Sequence, residues 1–162
     1  MVSKWPESLF VTGPGILKGK TVSVPVATMD MAGTFMDFAS AVPEPHMTTQ
    51  SFRGLLEGKP DAVSTYRPYV SSGLSNFRMV VQQIGSKQYK YICCQGPCPN
   101  PPSTAPAPKD PEGYVEMLLD IIADPYDMHD LAPVTRDVVA LLRPLLPKAY
   151  ADGCAEAYEN EF

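Results

Sequence analysis

The sequence has little positive charge, no long apolar run, one tryptophan and two histidines among its 162 residues. No hydrophobic stretch approaches the ~20 residues that a membrane-spanning helix requires, so no membrane association is expected. Lysine and arginine number 13 against 18 acidic residues, for a formal net charge of −5. Neutralising phosphates needs a basic face, so nucleic acid is not an expected partner. The opening Met1-Val2-Ser3-Lys4-Trp5-Pro6 has no apolar core and does not read as a signal peptide. Internal repeats are absent. The four cysteines are Cys93, Cys94, Cys98 and Cys154. Neighbouring Cys93 and Cys94 would point to opposite faces of a strand, which disfavours joint ligation of one metal. No histidine adjoins them, so free thiols, or one bridge such as Cys98 to Cys154, are the expected states.

What is present reads as globular: 44% of the residues are hydrophobic, an ordinary share for a packed chain. Leu9-Phe10-Val11 reads as a short buried strand, central and parallel, since no polar residue alternates with the apolar ones. It breaks into Gly13-Pro14-Gly15, a turn with relief on both sides of a fixed φ. Val22, Val24 and Val26 alternate, with Pro25 marking an edge or a break. Asp30 is the expected N-cap of a helix in which Met31, Phe35, Phe38 and Ala39 recur at helical spacing. Pro43 and Pro45 should end that helix, and a shorter one over 51–56 stops at Gly58-Lys59-Pro60.

Beyond residue 60 the pattern becomes strand-like. Residues 63–70 form a plausible strand interrupted at Pro68. Two β-rich runs, 77–84 and 87–94, flank Gly85-Ser86, a strong hairpin signal. Residues 95–113 hold many of the 18 prolines and read as a semi-rigid extended connector. Residues 115–122 can return as a strand, followed by a turn at Asp124-Pro125-Tyr126. From 134 to 146, Val138, Val139, Leu142, Leu145 and Leu146 suit an amphipathic helix with a kink at Pro144. The expected class is α/β. Residues 1–60 would hold the closing strand and helices of a larger α/β domain, and 61–162 a small antiparallel sheet with a C-terminal helix. The apolar face of 9–11 and 31–39 has no neighbouring strands in this chain to cover it, which favours association.

Five patches, in order, resemble the type I sulfatases of the alkaline-phosphatase superfamily. Leu9 to Ile16 resembles the family's P-L-I-V-x-G-P-G-I segment, and Asp30 to Ala39 its D-L-A-P-T-L-L-D-L-A-G. Ser51-Phe52-Arg53-Gly54-Leu55-Leu56-Glu57-Gly58 resembles S-L-x-P-L-L-x-G. Phe77-Arg78-Met79-Val80 with Tyr89-Lys90-Tyr91-Ile92 is similar to the W-R-M-V…K-Y-I hairpin of the small C-terminal domain. Leu119-Asp120 with Asp124-Pro125-Tyr126-Asp127-Met128-His129-Asp130-Leu131-Ala132 is similar to L-Y-D-L…D-P-Y-E-M-x-N-L-A. The resemblance implies an alkaline-phosphatase-like fold and hydrolysis of sulfate esters, on a small molecule or a glycan, by a longer parent chain. It implies a formylglycine nucleophile made within Cys-x-Pro-Ser-Arg, a Ca2+ ion in the full-length protein, and Lys and His groups on the sulfate.

This chain departs from that machinery. Cys94 is followed by Gln95-Gly96-Pro97 and Cys98 by Pro99-Asn100-Pro101, so neither continues to Ser-Arg. The metal-binding Asp-Asp and Asp-Asn pairs have no counterpart. No catalytic residue and no metal ligand is therefore assigned. Lys4, ahead of Trp5, Glu7 and Ser8, is the one candidate substrate-binding residue by the resemblance, although the spacing is short and Arg-Val-Pro is missing. His46 and His129 are read as surface or capping groups. Asp120, Asp124, Asp127 and Asp130 are read as turn and cap residues, Asp30 and Asp37 as a cap and an exposed acid. Tyr89 and Tyr91 are expected to pack against the C-terminal helix, and Arg78 is structural first. Two function classes follow: the C-terminal piece of a sulfatase-like hydrolase, inactive alone, or a non-catalytic interaction module. A phosphonate or phosphate monoester hydrolase of the same superfamily is a further option.

Overall fold

A computed structural model describes residues 8–74, 77–95 and 114–146. The chain divides into two compact units that meet in sequence at Val70 and Ser71.

In the first unit three short helices surround an aromatic core: α1 (Asp30–Phe38), α2 (Arg53–Glu57) and α3 (Ala62–Thr65). Phe52, Leu55, Ala62 and Tyr66 form that core, with Val24, Val26, Met31 and Leu56 packed on it. Phe52 and Tyr66 meet edge to face, ring centres 6.4 Å apart, the geometry that aromatic quadrupoles favour. Thr34 locks α1 to the chain before α2: its hydroxyl donates to the Asp30 carbonyl and accepts from the Phe52 N–H, at 2.7 and 3.0 Å. The helix ends before Pro43 is reached. Ser40 takes a left-handed conformation, and the N–H groups of Ser40 and Ala41 return to the carbonyls of Asp37 and Met36, which satisfies two orphan acceptors. Gly58 ends α2 in the same way at φ 71°. A Cβ there would push aside the half-exposed Leu17 side chain, but it is the positive φ that favours glycine.

Two expectations for this part are corrected. Residues 9–11 form no strand: Phe10 is 92% exposed and no strand within the described residues pairs with them. An isolated strand gains no ladder hydrogen bonds and buries no side chains, so the pattern alone cannot hold it. The run 63–70 is not one strand either. It begins as α3, where the Ser64 and Thr65 hydroxyls donate back to the Asp61 carbonyl, and its β-branched residues yield to that local bonding and to the burial of Tyr66.

The second unit is a four-stranded antiparallel sheet in the order β1 (Tyr69–Leu74), β2 (Phe77–Ile84), β3 (Lys87–Gln95), β4 (Tyr114–Asp120). The expected hairpin is present, with Val80 opposite Tyr91 and Ile84 opposite Lys87. Its loop has positive φ at Gly85 and not at Ser86, the two-residue form that matches strand twist. On one face lie Val80, Tyr91 and Leu118, and on the other Ile92, Cys94, Val115 and Met117 pack together. The edge of β4 is occupied: the Leu118 N–H donates to Asp130 Oδ1 at 3.0 Å, and its carbonyl accepts from the Leu131 N–H at 2.7 Å. A used edge cannot template another strand. Then α4 (Arg136–Leu142) buries Val138, Val139 and Leu142 and tightens into a 3-10 turn, Arg143–Leu145. Pro144 falls there, where its missing N–H costs no α-helical bond.

Candidate functional site

Each unit holds a buried carboxylate that gathers donors from distant residues, Asp30 in the first and Glu116 in the second, where Asp120 is also buried. In the first unit Asp30 has no exposed surface. It does not cap α1, whose N-cap is Met29 and carries no side-chain hydrogen bond. That corrects the expected cap, for a long-range reason: three donors from distant residues converge on its oxygens. The Gln50 N–H donates at 2.8 Å and Arg67 Nη2 at 2.5 Å, both to Oδ1, and the Tyr66 hydroxyl donates to Oδ2. Burial first, and the bond to Asp30 second, push the Tyr66 hydroxyl up to about 12. Asp37, expected as an exposed acid, is instead half-buried and paired. The Ser51 hydroxyl donates to it at 2.7 Å and Arg53 pairs with it at 3.3 Å, and that hydroxyl bond, foremost, holds it below the ordinary carboxylate range.

In the second unit Glu116 projects from the middle of β4 onto the face that carries Tyr91. Arg143 places Nε and Nη2 on its Oε1 at 3.0 and 2.6 Å, the Tyr91 hydroxyl donates to the same oxygen, and Arg136 reaches Oε2 at 3.4 Å. Arg136 and Arg143 lie two helical turns apart, so one face of α4 and its 3-10 extension presents both. Burial, with help from the bond to Glu116, raises the Tyr91 hydroxyl well above the usual phenol range. The Glu116 hydrogen bond raises Arg143. Tyr91 thus meets the C-terminal helix through a carboxylate, and a polar junction stands where plain packing was expected.

The acidic run after β4 serves the backbone. Asp120 accepts from the N–H groups of Ile122 and Ala123, Asp124 from those of Met128 and His129, and Asp130 from those of Leu118 and Ala132. Asp127 pairs with Lys90 at 2.5 Å. These are turn and cap roles, as expected. Carboxylates committed to separate N–H groups and to an ammonium do not form the convergent oxygen cage that calcium needs, and the described residues hold no group of three potential ligands. The donor set here does not fit a calcium ion. His129 is exposed beside Asp124 at 3.3 Å, and His46 is exposed. Lys4 and the Pro-rich run 95–113 lie outside the described residues, apart from Gln95 at the end of β3. Cys93 and Cys94 are both disulfide-bonded, which replaces the free thiols expected for them.

Both carboxylates spend their oxygens on donors from remote residues, which ties distant parts of each unit together. Sequence reading missed them because their partners are remote. Asp30 meets residues 36 and 37 positions away, which no local pattern reveals. Glu116 left a trace: an acid inside the apolar run Val115 to Leu119, with two arginines seven residues apart downstream.

No family model and no curated protein matches the chain. Solved structures do. One described as a sulfatase from Bacteroides thetaiotaomicron, and one of a 2-O GAG sulfatase, each align with 82% of this chain at 26% identity and a TM-score of 0.54. The chain is a distant homologue of Bacteroides sulfatases. It spans about a quarter of those chains, 27%. Helices, then an open antiparallel sheet, then a C-terminal helix constitute part of an alkaline-phosphatase-like fold.

Proposed function

We propose that this chain is the C-terminal portion of a sulfatase-like hydrolase that cleaves a sulfate ester, on a small molecule or a glycan, in a longer parent protein. Its own part is structural: it closes the α/β domain and adds the small sheet, while nucleophile and metal cage belong to other residues. The alignment carries the reading, because 82% of this chain matches 27% of a sulfatase, and the sequence holds no Cys-x-Pro-Ser-Arg. Calcium is then expected in the parent, held outside the residues described here. Lys4 remains the proposed sulfate contact, in the role that the resemblance implies.

The test is release of inorganic sulfate from an aryl sulfate with calcium supplied. The chain alone should release none. The chain co-expressed with a sulfatase segment bearing a matured Cys-x-Pro-Ser-Arg should release sulfate, and lose that ability when Lys4 becomes alanine. Turnover by the isolated chain would refute the division of labour. A second reading, a non-catalytic interaction module, draws on the exposed Phe10, Phe35 and Val42 of the first unit. Stable capture of an unrelated protein through Phe10, with no complementation by any sulfatase segment, would favour it.

A further inference from the structure

Cys93 and Cys94 are consecutive residues of a strand paired on both sides. Cys93 lies opposite Arg78 on β2 and Glu116 on β4, and Cys94 opposite Phe77 and Val115. The ladder runs through both positions with no break in register, so the two side chains leave opposite faces of the sheet. Cys93 shares its face with Tyr91 and Glu116, whereas Cys94 sits in the apolar cluster with Val115 and Met117. A disulfide requires the two Cβ atoms to converge to about 4 Å with their bonds turned towards each other. Adjacent residues of a regular strand point apart and cannot meet that condition. Yet both are disulfide-bonded.

We infer that Cys93 and Cys94 enter two separate disulfides, one on each face of β3, and that the sheet unit is made in an oxidising compartment. The chain has four cysteines, so two separate bridges use every thiol. Each bridge forms when two thiols surrender two protons and two electrons to the disulfide of a thiol oxidoreductase, which leaves as a dithiol. Such bonds persist in exported proteins and are rare where glutathione keeps thiols reduced. Cys93 at 6% exposure and Cys94 at 0% are both buried, which limits a reductant's access to these two sulfurs in the folded state. The central strand is thus pinned from both sides.

The experiment counts and locates thiols by iodoacetamide labelling in denaturant without reductant, followed by mass spectrometry. Chain exported to a bacterial periplasm should take up no label, and four labels after reduction. Chain kept in a reducing cytosol should take up four. In exported Cys93→Ser the single label should fall on Cys98 or Cys154 and not on Cys94, and in Cys94→Ser it should again avoid the remaining neighbour. Label on that neighbour would mean a bond between Cys93 and Cys94 and would overturn the inference. Four labels on exported wild-type chain would overturn it whether or not the variants fold. A cytosolic chain with none would overturn the compartment.

Discussion

Replacing Glu116 by alanine measures how much of the sheet unit depends on its buried carboxylate. Four donors lose their acceptor: Tyr91, two nitrogens of Arg143 and one of Arg136. Removing one member of a buried pair costs about 3–5 kcal/mol when the other charge stays dry. Here the arginine side chains are 45% and 57% exposed, so both regain water and each accounts for about 1 kcal/mol at most. The Tyr91 hydroxyl has no such escape, since its residue is fully buried, and leaving it unpaired costs about 1–3 kcal/mol. The expected loss is about 3 kcal/mol. Hydrogen exchange of the β3 amides reads it directly, as opening of that strand about 100-fold more frequent. Glu116→Gln, which keeps an acceptor for Tyr91, should lose about half as much. The double variant Glu116→Ala, Tyr91→Phe should cost less than the sum of its parts by about 1–2 kcal/mol, because no orphan hydroxyl remains. Strict additivity, or exchange within a factor of two of wild type in Glu116→Ala, would refute the idea that this carboxylate ties β3, β4 and α4 together.

Asp30→Asn should destabilise the first unit by about 2 kcal/mol, as one acceptor for the Gln50 N–H survives while the charge facing Arg67 is lost; Asp30→Ala should cost about 3–4 kcal/mol. Urea unfolding followed by helical circular dichroism checks both, and a change under 0.5 kcal/mol in the alanine variant would contradict the assignment. Tyr66 supplies a pH test. Its folded value, about 12, lies above the value of 10.0 that the unfolded chain would show. The stabilisation from keeping it protonated is therefore complete below pH 10 and is lost as pH rises through about 12. Its size is roughly 2–3 kcal/mol. Phenolate absorbance should show one fewer late-ionising tyrosine in Tyr66→Phe, and an unchanged titration would sink the claim.

Legibility in the sequence followed the range of the forces. The β2–β3 hairpin was readable because alternation and a two-residue glycine loop act between neighbours. The α1 and α4 segments were readable from apolar spacing, and the order of patches led to the right superfamily. The misreadings share one cause. Leu9-Phe10-Val11 has the composition of a central strand, but strand formation requires partners that local composition cannot supply. Residues 63–65 have β-branched side chains, yet they turn into α3 because Tyr66 is drawn into contact with Phe52 and Asp30. Asp30 itself looks like any N-cap acid until Gln50, Tyr66 and Arg67 are brought to it. Interactions across 20 to 37 residues leave no periodic mark.

The contrast between the two kinds of surface in the first unit bears on what the chain is for. Most of its polar interior is paired: Asp30 accepts three hydrogen bonds and the Thr34 hydroxyl both donates and accepts, while Arg67 Nε stays buried without a partner. Its apolar exterior is left open, with Phe10 at 92%, Val42 at 87% and Phe35 at 64% exposure. These defects differ in cost. An unpaired buried polar group is penalised by several kcal/mol in any context, so most are satisfied within the unit. Exposed apolar area forgoes only about 25 cal/mol per Å2, and that gain can be collected later from another surface. A segment that completes a larger α/β core should show this asymmetry, with most buried polar groups paired and large apolar side chains left exposed. A self-sufficient module of this size, with so little core to draw on, would gain by turning Phe10 and Phe35 inward. The exposed Phe10, Val42 and Phe35 fit the proposed sulfatase-like parent, in which another surface would cover them. Phe10→Asp gives the argument its check: it should abolish complementation by a sulfatase segment while leaving the chain's own helical signal and urea midpoint within 0.5 kcal/mol of wild type. Loss of the chain's own fold in that variant would mean that Phe10 already serves an internal core, and the asymmetry would vanish.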